Sequence, residues 1–334
     1  MEAIKTLVVG VGSIGQRHLK NLKTLGVGPL AIVEPDAARR KLMEETGAEA
    51  GFASLEEGLA WQPEIAVIAT PSHLHVTQGL AATQAGSHLF FEKPLAHEPS
   101  GLDTLREEIE RRNRISLVGC NMRFHPGPAK VKHLLGKKAI GRVLFARVHV
   151  GAYLPDWRPW QDYRKSYSAN ASMGGGCILD GIHEIDLTRW YLGDVNTVFC
   201  VAQKLSTLEI DVEDVALLVC QHQTGTLSEI HLDYVQRTYE RGCQIVGERG
   251  SIFWDYTAGT VRWFDADTQD WQTFSQPEDW QPNQMYLDEM QHFIDCIRGG
   301  RPTTLPVSEA IAVMEVAFAA KASAQAGAQI ELAN

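Results

Sequence analysis

The chain has 334 residues, of which 44% are hydrophobic and 22% are charged, and its formal net charge is −10 at pH 7. This length predicts two domains, because a single hydrophobic core rarely grows past about 250–300 residues. The acidic balance, with no basic stretch to offset it, argues against a nucleic-acid-binding protein. No apolar run approaches the length of a membrane span, so we expect no membrane partner.

The six cysteines are scattered, and no two of them form a Cys-x-x-Cys pair. We interpret them as free core thiols in a reducing compartment. The first residues show no basic segment followed by a long apolar run, so we expect no secretory signal. A cytoplasmic protein is the resulting expectation.

The first third of the chain alternates strand and helix signals. Asp36, Ser54 and Ser100 are predicted helix N-caps. Such alternation predicts βαβ units and a parallel sheet. The predicted strands are 7–9, 30–33, 65–69, 87–91 and 115–118.

A glycine pattern, Gly10-x-Gly12-x-x-Gly15, follows the first strand and opens the first helix. In this context it predicts a dinucleotide site: a tight turn, close backbone approach to a pyrophosphate, and close helix–strand packing. The helix N-terminus adds free N–H groups for the phosphates. A purely structural turn is the alternative, and the acid that ends the next strand disfavours it. The predicted contacts are Gly10, Gly12, Ser13, Ile14, Gly15 and Glu34.

Glu34 also predicts the choice of cofactor. A carboxylate can accept hydrogen bonds from a free ribose 2′-hydroxyl and repels a 2′-phosphate, so we expect NAD in preference to NADP. Arg39 and Arg40 are the counter-argument, and we interpret them as solvated helix surface.

The apolar run 87–91 stops at Glu92-Lys93-Pro94. Proline cannot donate to a sheet ladder, so Glu92 and Lys93 are predicted to lie at the carboxyl end of a strand. In an open parallel sheet that edge binds ligands. A lysine there can exchange protons with a substrate, and burial or a nearby positive charge favours its neutral form.

Beyond about residue 123 the chain changes to strands with few helices between them. The predicted strands are 141–150, 195–204, 215–221, 226–232, 243–246, 251–254 and 261–264, followed by helices over 284–297 and 308–326. The pattern predicts an α+β domain with a large, mainly antiparallel, open sheet. We therefore expect a Rossmann domain over 1–122 and a substrate-binding and oligomerisation domain over 123–334.

A turn of three glycines, Gly174 to Gly176, precedes Asp180 and His183. If the segment is helical, Asp180 and His183 share a face, and the carboxylate can orient the imidazole. A helix cap and an ordinary, partly buried histidine explain the spacing equally well.

Together the glycine pattern, Ala69-Thr70-Pro71-Ser72-His73-Leu74-His75, Glu92-Lys93-Pro94 and the Gly174–Asp180–His183 segment resemble the Gfo/Idh/MocA oxidoreductases, the group of glucose-fructose oxidoreductase and inositol dehydrogenase. The resemblance implies a nicotinamide cofactor, a sugar-like or polyol substrate, and a homodimer or homotetramer. It implies a catalytic role for Lys93, a second acid/base role for His183 and a supporting, substrate-contacting role for Asp180. It also implies cofactor contacts from Thr70, Pro71, His75 and Glu92. The histidines show no ligand spacing that demands a metal, so we expect none.

One spacing departs from the family pattern, since only Gly181 and Ile182 separate Asp180 from His183, where three residues are commoner. Either the helix start is shifted or the local turn differs. The segment 153–167 resembles a branch linked to nonulosonic-acid and surface-sugar pathways. It interleaves aromatic and basic residues, which predicts a loop that binds an anionic sugar, although packing and ion pairing would explain the composition as well. The predicted substrate contacts are Lys93, Arg123, Trp157, Arg158, Arg164, Tyr167, Asp180 and His183.

Three functions remain open at the level of sequence. The first is an NAD(P)-dependent dehydrogenase acting on a CH–OH group of a sugar, sugar acid or nucleotide sugar. The second is a lyase, epimerase or glycosidase that oxidises its substrate transiently. The third is a non-catalytic cofactor-binding regulator, which the presence of Lys93, Asp180 and His183 disfavours.

Overall fold

The computed structural model describes residues 4–332, with the side chains of residues 43–46 outside the description. The chain clusters into two units, Met1–Asn121 with Gln281–Ile311, and Met122–Trp280 with Ala312–Asn334. The expected second domain ran from 123 to 334, so the placement of 281–311 with the first unit differs from that expectation. The reason is visible in the first unit, where the backbone N–H of Val118 donates to the carbonyl of Leu305.

The elements of the first 121 residues follow the predicted alternation. They are β1 (Thr6–Val9), α1 (Ser13–Thr24), β2 (Leu30–Val33), α2 (Ala37–Thr46), β3 (Ala50–Phe52), α3 (Leu55–Ala60), β4 (Ile65–Ile68), α4 (His75–Gln84), β5 (His88–Phe91), α5 (Leu102–Arg111) and β6 (Ser116–Val118).

The remaining elements are mostly strands. They are α6 (Pro126–Gly136), β7 (Val143–Gly151), α7 (Cys177–Asp180), α8 (Ile182–Leu192), β8 (Val195–Gln203), β9 (Val215–His222), β10 (Leu227–Asp233), β11 (Glu240–Gly247), β12 (Gly250–Asp255), β13 (Thr260–Asp265), β14 (Asp270–Ser275), α9 (Gln284–Gly299), α10 (Val307–Ala326) and β15 (Ile330–Glu331).

Within the described part of the first unit, a parallel sheet has the strand order β3-β2-β1-β4-β5-β6. Every residue of β1, β2 and β4 is buried. Strands covered on both faces read as continuous apolar runs, which is why sequence pattern located them. The predicted Rossmann fold is confirmed, and β3 is a strand that the sequence analysis did not predict.

The predicted helix caps have mixed outcomes. Asp36 accepts the backbone N–H of Arg39 at 2.7 Å, and Ser54 accepts that of Glu57 at 3.2 Å, so both caps are confirmed. The prediction for Ser100 was wrong, because α5 begins one residue later with Gly101 as its N-cap at φ +79°. That left-handed backbone favours glycine.

Over residues 122–332 the second unit forms a sheet with the order β14-β13-β12-β11-β7-β10-β9-β8-β15. Neighbouring strands are antiparallel except β7 and β10, which run parallel. The predicted large, mainly antiparallel sheet is confirmed. The helix α6 and the strand β14 are additional elements that the sequence analysis did not predict.

One face of this sheet carries helix α8, which packs on β7 and β10. Along β9 the residues alternate between buried and exposed, which is the pattern of a strand with one open face. Large apolar side chains stand on the exposed positions of four neighbouring strands. They are Phe145, Phe199, Val201, Leu217, Val219 and Leu227, each 38–51% exposed.

Candidate active site

The glycine turn between β1 and α1 has the geometry of a phosphate cradle. Gly10 has φ +86°, and a Cβ on Gly15 would lie 2.0 Å from the carbonyl oxygen of Gly10. A Cβ on Gly12 would meet open space, so this backbone can be approached from outside. Gly12 caps α1 without a side-chain hydrogen bond, and Ser13 and Ile14 form the first turn, which contains no acidic residue. The first-turn N–H groups therefore suit an anionic group.

Glu34 follows β2 and is only 6% exposed. Its Oε1 accepts the backbone N–H of Asp36 at 3.1 Å, and its Oε2 lies 3.4 Å from Nη1 of Arg39. Arg40 donates to the backbone carbonyl of Glu34. The side chain of Arg39 is 51% exposed on α2, in agreement with the expected solvated surface, although its guanidinium also approaches Glu34. The half-buried Arg40 departs from that expectation, because its guanidinium is held at the carbonyl of Glu34. The carboxylate is nevertheless present at the end of β2, where a ribose-binding acid is needed.

The loop after β4 holds Thr70, Pro71 and His75. The methyl of Thr70 lies against Gly10, since a Cβ on Gly10 would come within 2.8 Å of it, and its hydroxyl donates to Gln78 at 2.6 Å. Pro71 is exposed at the same edge.

His75 is buried, with Nε2 2.8 Å from the carbonyl of Thr70 and Nδ1 3.0 Å from that of Pro94. Burial lowers the pKa of His75, and a neutral imidazole donates only one of these bonds at a time. This histidine thus joins the loops after β4 and β5, a bracing role that the resemblance did not imply.

Glu92 and Lys93 follow β5. Because β1, β4 and β5 are neighbours in the parallel sheet, the glycine turn, Thr70 and Lys93 lie at the same edge of that sheet. Lys93 is half-buried, its peptide bond to Pro94 is cis, and its backbone N–H donates to Oε2 of Glu92 at 3.2 Å. The carboxyl edge of such a sheet is where ligands bind.

In the second unit, Asp180 ends the short helix α7 and His183 lies in the first turn of α8. Gly181 separates the two helices, so the pair does not share one continuous helix. A Cβ on Gly181 would lie 2.7 Å from a methyl of Leu232 in β10. Close packing on the sheet thus requires glycine at the break between the two helices.

The carboxylate of Asp180 is held by two tyrosines. The hydroxyl of Tyr167 donates to Oδ1 at 2.6 Å, and that of Tyr234 donates to Oδ2 at 2.7 Å. Burial and the nearby Asp180 charge raise the pKa of Tyr234 well above its ordinary value, so this residue remains a donor. Sequence reasoning missed Tyr234, since nothing in its spacing connects it with Asp180.

Segment 153–167, which interleaves aromatic and basic residues, flanks the carboxylate of Asp180. The ring of Trp157 contacts that of Tyr234 edge-on at 5.3 Å, and Arg158 lies over Tyr167 at 6.0 Å. The segment contains short 3-10 turns and no α-helix among its described residues, as Pro155 and Pro159 predict.

The three basic candidates have different surroundings. Arg123 makes a bidentate ion pair with Asp186, at 2.9 and 2.6 Å, and both side chains are buried. Arg164 is exposed and pairs with Asp162 at 2.8 Å and Glu209 at 2.7 Å. Ion pairing, the alternative to substrate binding, is therefore what the structure shows for Arg164. Arg158, by contrast, lies over the ring of Tyr167, one of the two tyrosines that hold Asp180.

The helix α8 carries a second buried pair beside His183, which is 9% exposed. Both oxygens of Glu184 accept from Arg241, at 2.6 and 3.1 Å. A buried bidentate pair fixes the side-chain geometry at both ends. This pair and the Arg123–Asp186 pair therefore anchor the helix from which His183 projects.

Two comparisons with family models cover most of the chain. Residues 4–120 match the oxidoreductase family with an NAD-binding Rossmann fold, and residues 129–253 match the GFO/IDH/MocA C-terminal domain. This chain belongs to the Gfo/Idh/MocA oxidoreductase family. It is an NAD-binding oxidoreductase, as the resemblance implied.

Individual relatives of this Gfo/Idh/MocA protein are distant but collinear. A myo-inositol 2-dehydrogenase of Thermotoga maritima is 26% identical over 97% of both chains. A scyllo-inositol 2-dehydrogenase (NAD(+)) of Bacillus subtilis is 25% identical over 98% of this chain and 96% of its own. The WlbA dehydrogenase of Bordetella pertussis, solved with NADH and UDP-GlcNAcA, is 23% identical with a TM-score of 0.86 over all of both chains. That last likeness shows the shared fold.

The described residues, 4–332, contain neither a candidate metal centre nor a candidate membrane span. No group of three or more His, Cys, Asp or Glu side chains in this range could hold a metal ion. No helix in the described part of the chain is long and apolar enough to span a bilayer. The six cysteines are all buried, and none of them forms a disulfide.

Proposed function

We propose that this protein transfers a hydride between NAD and a hydroxyl or keto carbon of a sugar, sugar acid or nucleotide sugar. Lys93 is the principal acid/base residue and His183 the second. The observation that carries the proposal is the position of Lys93, at the sheet edge that also presents the glycine turn and Thr70. When bound, the nicotinamide supplies the hydride-transfer chemistry, and the protein positions the substrate and transfers its hydroxyl proton.

The glycine turn and Glu34 would hold the cofactor. The first turn of α1, which no side chain caps, offers N–H groups to the pyrophosphate, and the Glu34 carboxylate offers acceptors to the ribose hydroxyls. Thr70, Pro71 and Glu92 would line the same edge, with His75 bracing it from within. The open space at Gly12 and the lack of an acid in the first turn of α1 support this assignment.

Lys93 would manage the substrate proton. An alcohol that loses hydride must also lose its hydroxyl proton, and a neutral lysine amine can accept it. In the reverse direction the protonated amine donates to the carbonyl oxygen. His183 would act as the second acid/base group, and Asp180, held by Tyr167 and Tyr234, would contact substrate hydroxyls.

Substrate recognition is assigned to the second unit. Trp157, Arg158 and Tyr167 are proposed to bind the sugar, with Arg158 facing a negative group such as a carboxylate or phosphate. The ion pairs of Arg123 and Arg164 support a structural role for these two arginines instead. The inositol dehydrogenase relatives favour a polyhydroxylated ring as the core of the substrate.

The same unit is proposed to build a homodimer or homotetramer. Its support is the apolar sheet face from Phe145 to Leu227, since exposed patches of this kind mark interfaces. The buried cysteines are compatible with a reducing compartment such as the cytoplasm.

The test is turnover by the purified protein with NAD and a panel of polyols, sugars, sugar acids and nucleotide sugars. Lys93→Met should fold and bind NADH but lose about two to four powers of ten in turnover. The matched control is Lys137→Met, because Lys137 is an exposed lysine at the C-cap of α6. Near-normal turnover by Lys93→Met would remove Lys93 from the mechanism.

The same assay separates net oxidation from redox-neutral chemistry. A dehydrogenase accumulates reduced nicotinamide, measured by its absorbance, in step with product. Product formation that requires NAD but leaves the cofactor oxidised at all times would replace the proposed function by a lyase, epimerase or glycosidase reaction.

A further inference from the structure

A buried histidine of the cofactor helix contacts the acid that precedes Lys93. His18 lies in α1, the helix opened by the glycine turn, and is fully buried. Its Nε2 is 2.6 Å from Oε1 of Glu92, which is 8% exposed. The residues are 74 positions apart in the sequence, so the contact is a tertiary one.

The other oxygen of the same carboxylate faces Lys93. Oε2 of Glu92 accepts the backbone N–H of Lys93 at 3.2 Å. Glu92 therefore connects helix α1 on one side with the peptide that carries Lys93 on the other. A shift of the carboxylate would move or release that peptide.

The hydrogen-bonding state of His18 follows from its second nitrogen. Nδ1 is buried and has no hydrogen-bond partner among the described residues. An imidazolium, or the Nδ1–H tautomer, would bury an N–H without an acceptor, which is costly. The neutral Nε2–H tautomer leaves only a lone pair there and donates to Glu92.

Packing holds the ring in this orientation. The edge of Phe90 lies 4.9 Å from the His18 ring centroid, and Tyr286 of α9 lies at 6.4 Å. Arg17 in turn covers the Tyr286 ring at 4.5 Å. The Glu92 carboxylate also interacts electrostatically with His75 and Tyr286.

We propose that His18 is a positioning residue for hydride transfer. It donates to Glu92, and Glu92 holds the Lys93 peptide, so that the helix offering N–H groups to the cofactor and the acid/base residue form one rigid assembly. This inference rests on the proposed role of Lys93. It assigns His18 to the reaction instead of to stability alone.

Two polar isosteres of His18 separate positioning from stability. In His18→Gln the side-chain amide N–H can reach the place of Nε2, whereas in His18→Asn it is too short. We expect His18→Asn to lower kcat about ten- to hundredfold, as a small misplacement of a reacting group does, with KM for NAD changed less than about threefold. His18→Gln should recover most of the kcat.

Two further measurements accompany the kinetics. NADH fluorescence titration should give similar affinities for both variants, and urea unfolding reports their stability. Equal kcat loss in His18→Gln and His18→Asn, or losses that simply follow stability, would overturn the inference.

The tautomer of the His18 ring can be measured directly, without an activity assay. The ¹⁵N chemical shifts of the His18 ring should show the Nε2–H tautomer, both in the wild type and in Lys93→Met. An Nδ1–H tautomer or an imidazolium at about pH 8 would contradict the argued donation to Glu92. If Lys93→Met retains turnover while the ring shows Nε2–H, the proposed role of Lys93 fails and the His18–Glu92 bond stands as a structural one.

Discussion

The hydroxyl of Tyr234 donates a 2.7 Å hydrogen bond to Asp180, and both groups are buried. Tyr167 supplies the second donor to the same carboxylate at 2.6 Å. A buried carboxylate needs such partners, because desolvation without them is costly. The two tyrosines therefore determine where the proposed substrate-contacting acid lies.

Removing the Tyr234 donor should destabilise the protein. We expect Tyr234→Phe to cost about 1.5–3 kcal/mol, the range for a hydrogen bond to a charged group. Urea unfolding measures the change. Tyr163→Phe is the control, because its hydroxyl only accepts the backbone N–H of Glu209 at an exposed position. A Tyr234→Phe protein as stable as this control would contradict the assigned bond.

Glu34 should determine the preference for NAD. Glu34→Gln removes the repulsion of a 2′-phosphate and weakens the acceptor for the 2′-hydroxyl. We expect the ratio of kcat/KM for NAD to that for NADP to fall about tenfold or more, from a loss of roughly 1.5–3 kcal/mol. Arg39, 3.4 Å from this carboxylate, would then be released toward the phosphate. Glu56→Gln on α3 is an exposed control, and an unchanged ratio in Glu34→Gln would refute the assignment.

Arg158 and Arg164 form a natural matched pair. Arg164 is already engaged by Asp162 and Glu209, whereas Arg158 lies over Tyr167. For an anionic sugar substrate, Arg158→Ala should raise KM about tenfold or more, and Arg164→Ala should leave it nearly unchanged. Steady-state kinetics with anionic and neutral sugars decide the matter. Equal effects of the two variants, or a neutral polyol as the best substrate of both, would contradict the proposed contact between Arg158 and an anionic group.

The apolar sheet face should hold the assembly together. Val219 lies opposite Phe199 on β8 and Glu229 on β10, so Val219→Glu adds a carboxylate among apolar side chains and beside another acid. We expect a smaller particle mass by light scattering at micromolar concentration. Leu42→Glu on α2 is the control, since Val219 is 50% exposed and Leu42 is 52% exposed. A wild-type protein that is already monomeric would disprove the proposed oligomer.

Glu213 should make stability fall as pH rises. Its carboxylate accepts the backbone N–H of Ile178 at 3.1 Å, and burial raises its pKa above the ordinary value of 4.5, against the opposing charge of Lys321. The folded protein thus binds a proton more readily than the unfolded chain. The stability gained below pH 4.5 is lost as pH rises through the raised pKa.

The matching variant is Glu213→Gln, which keeps an acceptor for Ile178 and removes the charge. It should be more stable than the wild type at about pH 8, with the difference shrinking toward pH 4.5. Denaturant unfolding across pH measures this difference, and exposed Glu278→Gln is the control. A difference that does not change with pH would show that Glu213 is not the titrating group.

Much of the fold was decided by local sequence. Continuous apolar runs located β1, β2, β4 and β5, because strands buried on both faces need no polar side. Alternation of apolar and polar residues located β7, because such alternation is typical of a strand with one open face. The glycine turn could be predicted from sequence because only glycine suits its two key positions. Gly10 has φ +86°, and Gly15 lies too close to the carbonyl of Gly10 for a side chain. Lys93 was readable because Pro94 ends its strand.

Only the tertiary structure decided which side chains meet. His18 and Glu92 are 74 residues apart, Arg123 and Asp186 are 63 apart, and Tyr234 and Asp180 are 54 apart. Strand order, register and helix packing bring each pair together. Hydrophobic periodicity determines which face of an element is buried, but it does not determine which element lies opposite. For that reason the sequence indicated the cofactor edge and Lys93, whereas the groups that hold Glu92 and Asp180 in place required the folded chain.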